Sequence, residues 1–181
     1  MEFGRKHELE HVYQKYAKSL YVYLLKMSGS PHLAEDLTQE TFVRATISLS
    51  SYNQENIRAW LFKVARNAYL DEWRKRQKRK WIPFSEILFT HEKMISPYGL
   101  PEEELVLGEQ KSDLHILLTY LPEHYRTILY LREYEDFSYE EIQTLLELTE
   151  GQVKIHLYRA RKKLSELAEE LGWEEKDGGM E

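Results

Sequence analysis

Residues 137–164, FSYEEIQTLLELTEGQVKIHLYRARKKL, constrain the fold more than any other stretch of this chain. They read as a helix, a short turn and a second helix with a basic outer face. The Ser138 hydroxyl can accept from a free backbone N–H in the first turn, and Glu141 three residues on completes a capping box. Ile142, Leu145 and Leu146 make an apolar stripe at helical spacing. Thr149 can cap the second helix, whose inner stripe is Val153, Leu157, Ala160 and Leu164. Lys154, Arg159, Arg161, Lys162 and Lys163 fall mostly off that stripe. A short helix pair with a cationic second member suits entry into a DNA major groove.

At 181 residues the chain allows one or two small domains. Gly and Pro are few, while Leu, Glu, Lys and Tyr are common, which favours helices over sheet. Cysteine is absent, which removes disulfides, thiolate zinc sites and Cys nucleophiles and is compatible with a reducing cytoplasm. The N-terminus, MEFGRKHELEH, lacks the apolar core of a signal peptide, and no apolar run approaches membrane-spanning length. The net charge is −6, which argues against indiscriminate coating of nucleic acid. Its distribution says more. Residues 74–80, RKRQKRK, and residues 154–163 are two cationic tracts set among acidic stretches. Two such patches on an acidic body suggest two defined nucleic-acid contacts, with the acidic flanks repelling other phosphate.

Apolar spacing predicts a helix over about 6–27, broken by Ser28-Gly29-Ser30-Pro31, a second over about 31–48, and a third over about 57–79. The expected inward residues are Leu9, Val12, Tyr13, Tyr16, Leu20, Tyr23, Leu24 and Met27; Leu33 or Ala34, Leu37, Thr41, Phe42 and Ala45; then Trp60, Leu61, Val64, Ala65, Ala68 and Trp73. Residues 1–80 are thus a first domain. Residues 81–104 carry Pro83, Pro97, Gly99 and Pro101, lose periodicity and read as a linker. Residues 105–171 form a second helical domain opened by Leu114, Leu117, Leu118 and Leu121, and residues 172–181 an acidic tail. The expected class is all-α: two small helical domains on a flexible linker, the second with a helix-turn-helix.

Three stretches in this order resemble the extracytoplasmic-function (group IV) sigma factors of bacteria. They are Ala34-Glu35-Asp36-Leu37-Thr38-Gln39-Glu40-Thr41-Phe42; Ile57-Arg58-Ala59-Trp60-Leu61-Phe62-Lys63-Val64-Ala65-Arg66-Asn67 with Asp71 and the basic run; and Leu121-Pro122-Glu123-His124-Tyr125-Arg126 with the capped pair that follows. The resemblance spans about residues 8–170. It implies a non-catalytic initiation factor without cofactor or metal, which binds core RNA polymerase at the β′ clamp helices and β flap and directs it to minus-10 and minus-35 promoter DNA. An anti-sigma factor, often membrane-embedded, is the family's usual inhibitor.

Carried onto this chain, the resemblance assigns Asp36, Gln39, Glu40 and Arg44 to polymerase binding. Tyr52, Asn53, Gln54, Asn56 and Asn67 fall where the family captures an unstacked minus-10 base, with amides for the base edge and an aromatic wall. Arg74, Lys75, Arg76, Lys78 and Arg79 are expected on phosphates there. Lys154, Ile155, Tyr158 and Arg159, following the Thr149 cap, are expected to face the minus-35 duplex, with Arg126 and Arg161 as phosphate clamps. Ile155 and His156 depart from the family's small polar and basic residues. The apolar linker residues Trp81, Ile82, Phe84, Ile87, Leu88 and Phe89 also depart from it. They read either as extra packing on the first domain or as a docking strip.

Two other readings compete. His7-Glu8-Leu9-Glu10-His11 fits the HExxH pattern of zinc peptidases, but it lies at the chain start without a downstream ligand pattern. A stand-alone helix-turn-helix regulator would bind a palindrome as a dimer, but leaves the 36–42 stretch and the long linker without a task.

Overall fold

The computed structural model describes residues 2–48, 56–79 and 116–172, with the side chains of residues 2–8, 48 and 79 left aside. Among these residues every element is a helix. The chain forms two compact units, the first made of residues 1–105 with 144–146 and the second of residues 106–143 and 147–181. Tyr52, Asn53, Gln54, the linker with its apolar cluster, Leu114 and the tail beyond Gly172 lie outside the described residues.

The first unit packs α1 (Glu2–Ser28), α2 (Pro31–Ser48) and α3 (Ile57–Arg79) against one another. Gly29 ends α1 at φ 67°, a left-handed conformation that costs a residue without Cβ little. Ser30 then caps α2, its hydroxyl accepting from the Leu33 N–H at 3.3 Å, and Pro31 fills the first helical position, where a missing N–H is harmless. The core takes Leu20, Leu24 and Met27 from α1, Ala34, Leu37, Phe42 and Ala45 from α2, and Leu61, Phe62, Ala65 and Ala68 from α3. Of the other residues expected inside, Leu9, Tyr16 and Leu33 are half-buried and Tyr13 is 39% exposed. Thr38 and Thr41 are also fully buried, which is tolerable because their hydroxyls donate to the Ala34 and Leu37 carbonyls at 2.7 and 2.6 Å.

The inward face of α3 is rotated from the expected one. Phe62 is buried against Tyr23, with ring centroids 5.3 Å apart, while Trp60 and Val64 are half-buried. Trp73, expected inside, is 41% exposed. It stands at the start of the basic run, where α3 has no further apolar residue to pack beside it.

In the second unit residues 116–119 are helical and α4 (Glu123–Leu129) follows. A π-helical turn, Tyr130–Tyr134, continues α4; then come α5 (Tyr139–Leu146) and α6 (Glu150–Glu170). Both members of the helix pair carry a complete capping box. Ser138 Oγ accepts from Glu141 N–H at 3.2 Å while the Glu141 carboxylate accepts from Ser138 N–H at 2.7 Å. Thr149 Oγ1 accepts from Gln152 N–H at 3.3 Å while Gln152 Oε1 accepts from Thr149 N–H at 2.8 Å. The reciprocal role of Gln152 is an addition to the expected Thr149 cap. Between the helices Glu147 adopts φ 56° and lets the Leu148 N–H close back on the Gln143 carbonyl at 3.0 Å.

Candidate nucleic-acid interface

Helix α6 is two-faced for a reason legible in its spacing. Val153, Leu157 and Ala160 are at most 1% exposed, and Ile142 of α5 is fully buried as well. Leu164, expected to extend this stripe, is only half-buried. That burial turns Lys154, Ile155, Tyr158 and Arg159 outward; Ile155 is 49% exposed and Tyr158 68%. Isolated apolar side chains held in water on a basic helix are chemically suited to thymine methyls and sugars. Thr149 stands at the mouth of the same face as the cap of α6.

The cations of α6 differ in what holds them. Lys154 Nζ pairs with Glu150, one turn back. The hydrogen bond to that carboxylate raises the Lys154 pKa and lowers that of Glu150. Arg161 lies against Glu133 of the π-helical turn at 2.6 Å, a contact that raises its pKa, chiefly through the hydrogen bond. Lys162 and Lys163 both reach Glu166. Among the described residues Arg159 has no carboxylate partner.

Arg126 is placed differently from the expectation. It is only 5% exposed, and its Nη2 donates to the carbonyls of Thr119 at 2.9 Å and Leu121 at 3.1 Å. A guanidinium buried on two carbonyls fastens the 116–121 segment to α4 and is not presented to phosphate. The sequence signal for this lay in Leu121-Pro122, which stops one helix and leaves carbonyls needing donors.

In the first unit Asn67, Arg74, Lys75, Arg76 and Lys78 are exposed on α3. Arg74 is 3.3 Å from Asp71 and Arg76 is 2.9 Å from Glu72. Arg79 ends α3. Asn56 lies at the start of α3, where its Oδ1 accepts from the Ala59 N–H at 3.0 Å. Its carbonyl is thus engaged as a cap, a role that its spacing to Ala59 already allowed.

On α2, Asp36, Gln39 and Glu40 are exposed together, opposite buried Leu37 and Ala45. Arg44 leaves that surface. Its Nε donates to Glu40 at 2.8 Å and its Nη1 to Asp71 of α3 at 2.9 Å, and these hydrogen bonds, Glu40 first, raise its pKa. Among the described residues no cluster of His, Asp and Glu is placed to hold a metal ion, and no helix is long and apolar enough to cross a membrane. His11 of the HExxH stretch is exposed, while His7 and Glu8 belong to the side chains left aside.

The comparisons with known proteins fall on these two units. The family description Sigma-70 region 2 matches residues 12–79, and Sigma-70, region 4 matches residues 112–164. The chain is similar to the ECF RNA polymerase sigma factor SigM of Bacillus subtilis, 35% identical over 161 residues that cover 88% of this chain and 94% of the relative. It is 28% identical to SigW of the same organism, covering 86% of each. Among solved structures, the sigma factor RpoE of Bartonella quintana, crystallised with the anti-sigma factor NepR, aligns with a TM-score of 0.67 at 25% identity. That alignment covers 90% of this chain and 97% of the RpoE chain. With regions 2 and 4 in the family's order and identity sustained along nearly the whole length, the chain belongs to the extracytoplasmic-function sigma factors, which direct RNA polymerase to promoters.

Proposed function

We propose how this chain divides the work of a sigma factor among its surfaces. Asp36, Gln39 and Glu40 on α2 dock on the β′ clamp helices of core polymerase through charge-assisted and amide hydrogen bonds. The loop ahead of α3, with Tyr52, Asn53, Gln54 and Asn56, captures a minus-10 base, while Asn67 and the basic end of α3, Arg74 to Arg79, hold the surrounding strand. Helix α6 enters the minus-35 major groove with Lys154, Ile155, Tyr158 and Arg159, and the second unit rests on the β flap. The protein acts in the cytoplasm, and an anti-sigma factor of the kind crystallised with RpoE restrains it by competing for polymerase-facing surface.

One observation carries the reading. Helix α6 buries Val153, Leu157 and Ala160 and turns outward Lys154, Ile155, Tyr158 and Arg159, the last without a carboxylate partner among the described residues. The test is transcription in vitro with core polymerase on a promoter library, with start sites mapped. Specific starts that require this protein support the assignment, and their absence with folded protein overturns it. The docking surface is tested by the double substitution Asp36→Ala, Gln39→Ala. It should weaken holoenzyme assembly while circular dichroism and the melting transition stay those of the parent; normal assembly would remove these residues from the interface.

A further inference from the structure

Asp71 is out of place on a surface meant for DNA. Asn67, Asp71, Arg74 and Lys78 follow one another at three- and four-residue steps, so they share one face of α3. Three of the four suit a nucleic-acid strand, and a lone carboxylate among them repels phosphate. Its charge does not stand alone: Arg44 reaches across from α2 to Asp71 Oδ2 at 2.9 Å, and Arg74 approaches Oδ1 at 3.3 Å. Arg44 is the more enclosed of the two cations, its side chain 34% exposed against 62% for Arg74. It is also tethered to Glu40 by a second hydrogen bond.

We infer that Arg44 serves the promoter rather than polymerase: it is a positioning residue that neutralises Asp71 and so frees Arg74 to turn from the carboxylate to phosphate. With Arg44 in place, Asp71 keeps a partner when Arg74 leaves. Without it, Arg74 is the one cation left to the carboxylate among the described residues, and a phosphate contact by Arg74 leaves that charge uncompensated. The inference rests on the assignment of α3 to minus-10 DNA, and it moves Arg44 out of the set expected to touch polymerase.

The experiment uses holoenzyme assembled from the full chain and core polymerase. Arg44→Gln keeps side-chain length and removes the charge. It should leave holoenzyme assembly unchanged and reduce promoter binding and strand opening by about fivefold or more at low salt, with the loss shrinking as salt rises. Adding Asp71→Asn should restore opening, because the face regains its original charge. Glu35→Gln, the same neutralisation on α2 outside this network, should not. Melting curves of each variant separate these effects from loss of fold, and Arg44→Lys, which keeps the charge, should retain most of the activity. Loss of holoenzyme assembly in Arg44→Gln that Asp71→Asn does not repair would overturn the inference and return Arg44 to the polymerase interface. Equal promoter opening by Arg44→Gln and parent would overturn it as well. A parent protein that never assembles with polymerase would instead sink the functional assignment itself.

Discussion

In the proposed interface Arg159 is the cation best suited to reading sequence rather than to general attraction. Lys154 and Arg161 each spend part of their hydrogen-bonding capacity on a neighbouring carboxylate, Glu150 and Glu133. Such a cation must exchange one anion for another when DNA arrives, so its net contribution falls. Arg159 makes no such exchange, and its planar fork can pair with the two acceptors of a guanine. Replacing it with Ala should cost about 1–3 kcal/mol of minus-35 binding, concentrated at one base pair. Footprinting on single-base promoter variants reads this; a uniform loss would make Arg159 a phosphate contact. Ile155 makes a different demand. An exposed branched apolar side chain beside Tyr158 gains by covering a methyl group, which thymine has and uracil lacks. Substituting uracil for thymine at successive minus-35 positions should weaken binding by about threefold or more at one of them. Ile155→Ala should abolish that difference, whereas equal binding of all substituted duplexes would remove Ile155 from base contact. At this scale the sequence was only partly legible. The outward cations of α6 followed from its inner stripe, while Ile155 and Tyr158 were placed outward by the family resemblance. The burial of Arg126 did not, because it depends on carbonyls that only the folded backbone brings within reach.

The elements were written more openly. The limits of α2 and α3 are marked by local chemistry: Ser30-Pro31 at one start, Asn56 at the other, and a long run without a breaker between each start and its end. Both capping boxes lie in plain view as residues three apart. The π-helical turn does not. Residues 130–134, YLREY, carry no breaker and keep the apolar spacing of α4. At its end the wider turn is marked by a Glu135 N–H that bonds the Tyr130 carbonyl at 3.2 Å, followed by Phe137 N–H on Leu131 at 2.9 Å. Phe137, 0% exposed, needs that extra residue in the turn to reach the interior, so a tertiary demand overrides local periodicity. The turn between α5 and α6 stores a small strain of its own. Glu147 holds φ 56° with a Cβ that glycine would not have. Glu147→Gly should therefore stabilise the second unit by about 1 kcal/mol, the left-handed cost relieved less the added entropy of the unfolded chain. Thermal or urea unfolding measures it. A destabilised variant would mean that the Glu147 side chain contributes more than its backbone costs.

On the scale of the molecule the decisive quantity is how charge is arranged under a net value of −6. A free chain with that balance gains little by approaching bare duplex, since each basic tract carries acidic neighbours towards the same phosphates. On the proposed division of labour, specific binding requires both tracts to act at once, with polymerase holding α2, so that the second contact becomes intramolecular. The free protein should bind promoter duplex no more tightly than the non-specific range of about 10⁻⁴–10⁻⁶ M at physiological salt. The same chain in holoenzyme should discriminate its promoter from scrambled DNA by orders of magnitude. Fluorescence anisotropy of labelled promoter, titrated with free protein and with holoenzyme, compares the two directly. A stand-alone regulator predicts the reverse pattern: tight, palindrome-specific binding by a dimer, indifferent to polymerase. If that pattern were found, the acidic surface at Asp36 and Glu40 would have no partner to hold, and the division of labour between the two units would have to be rebuilt around DNA alone.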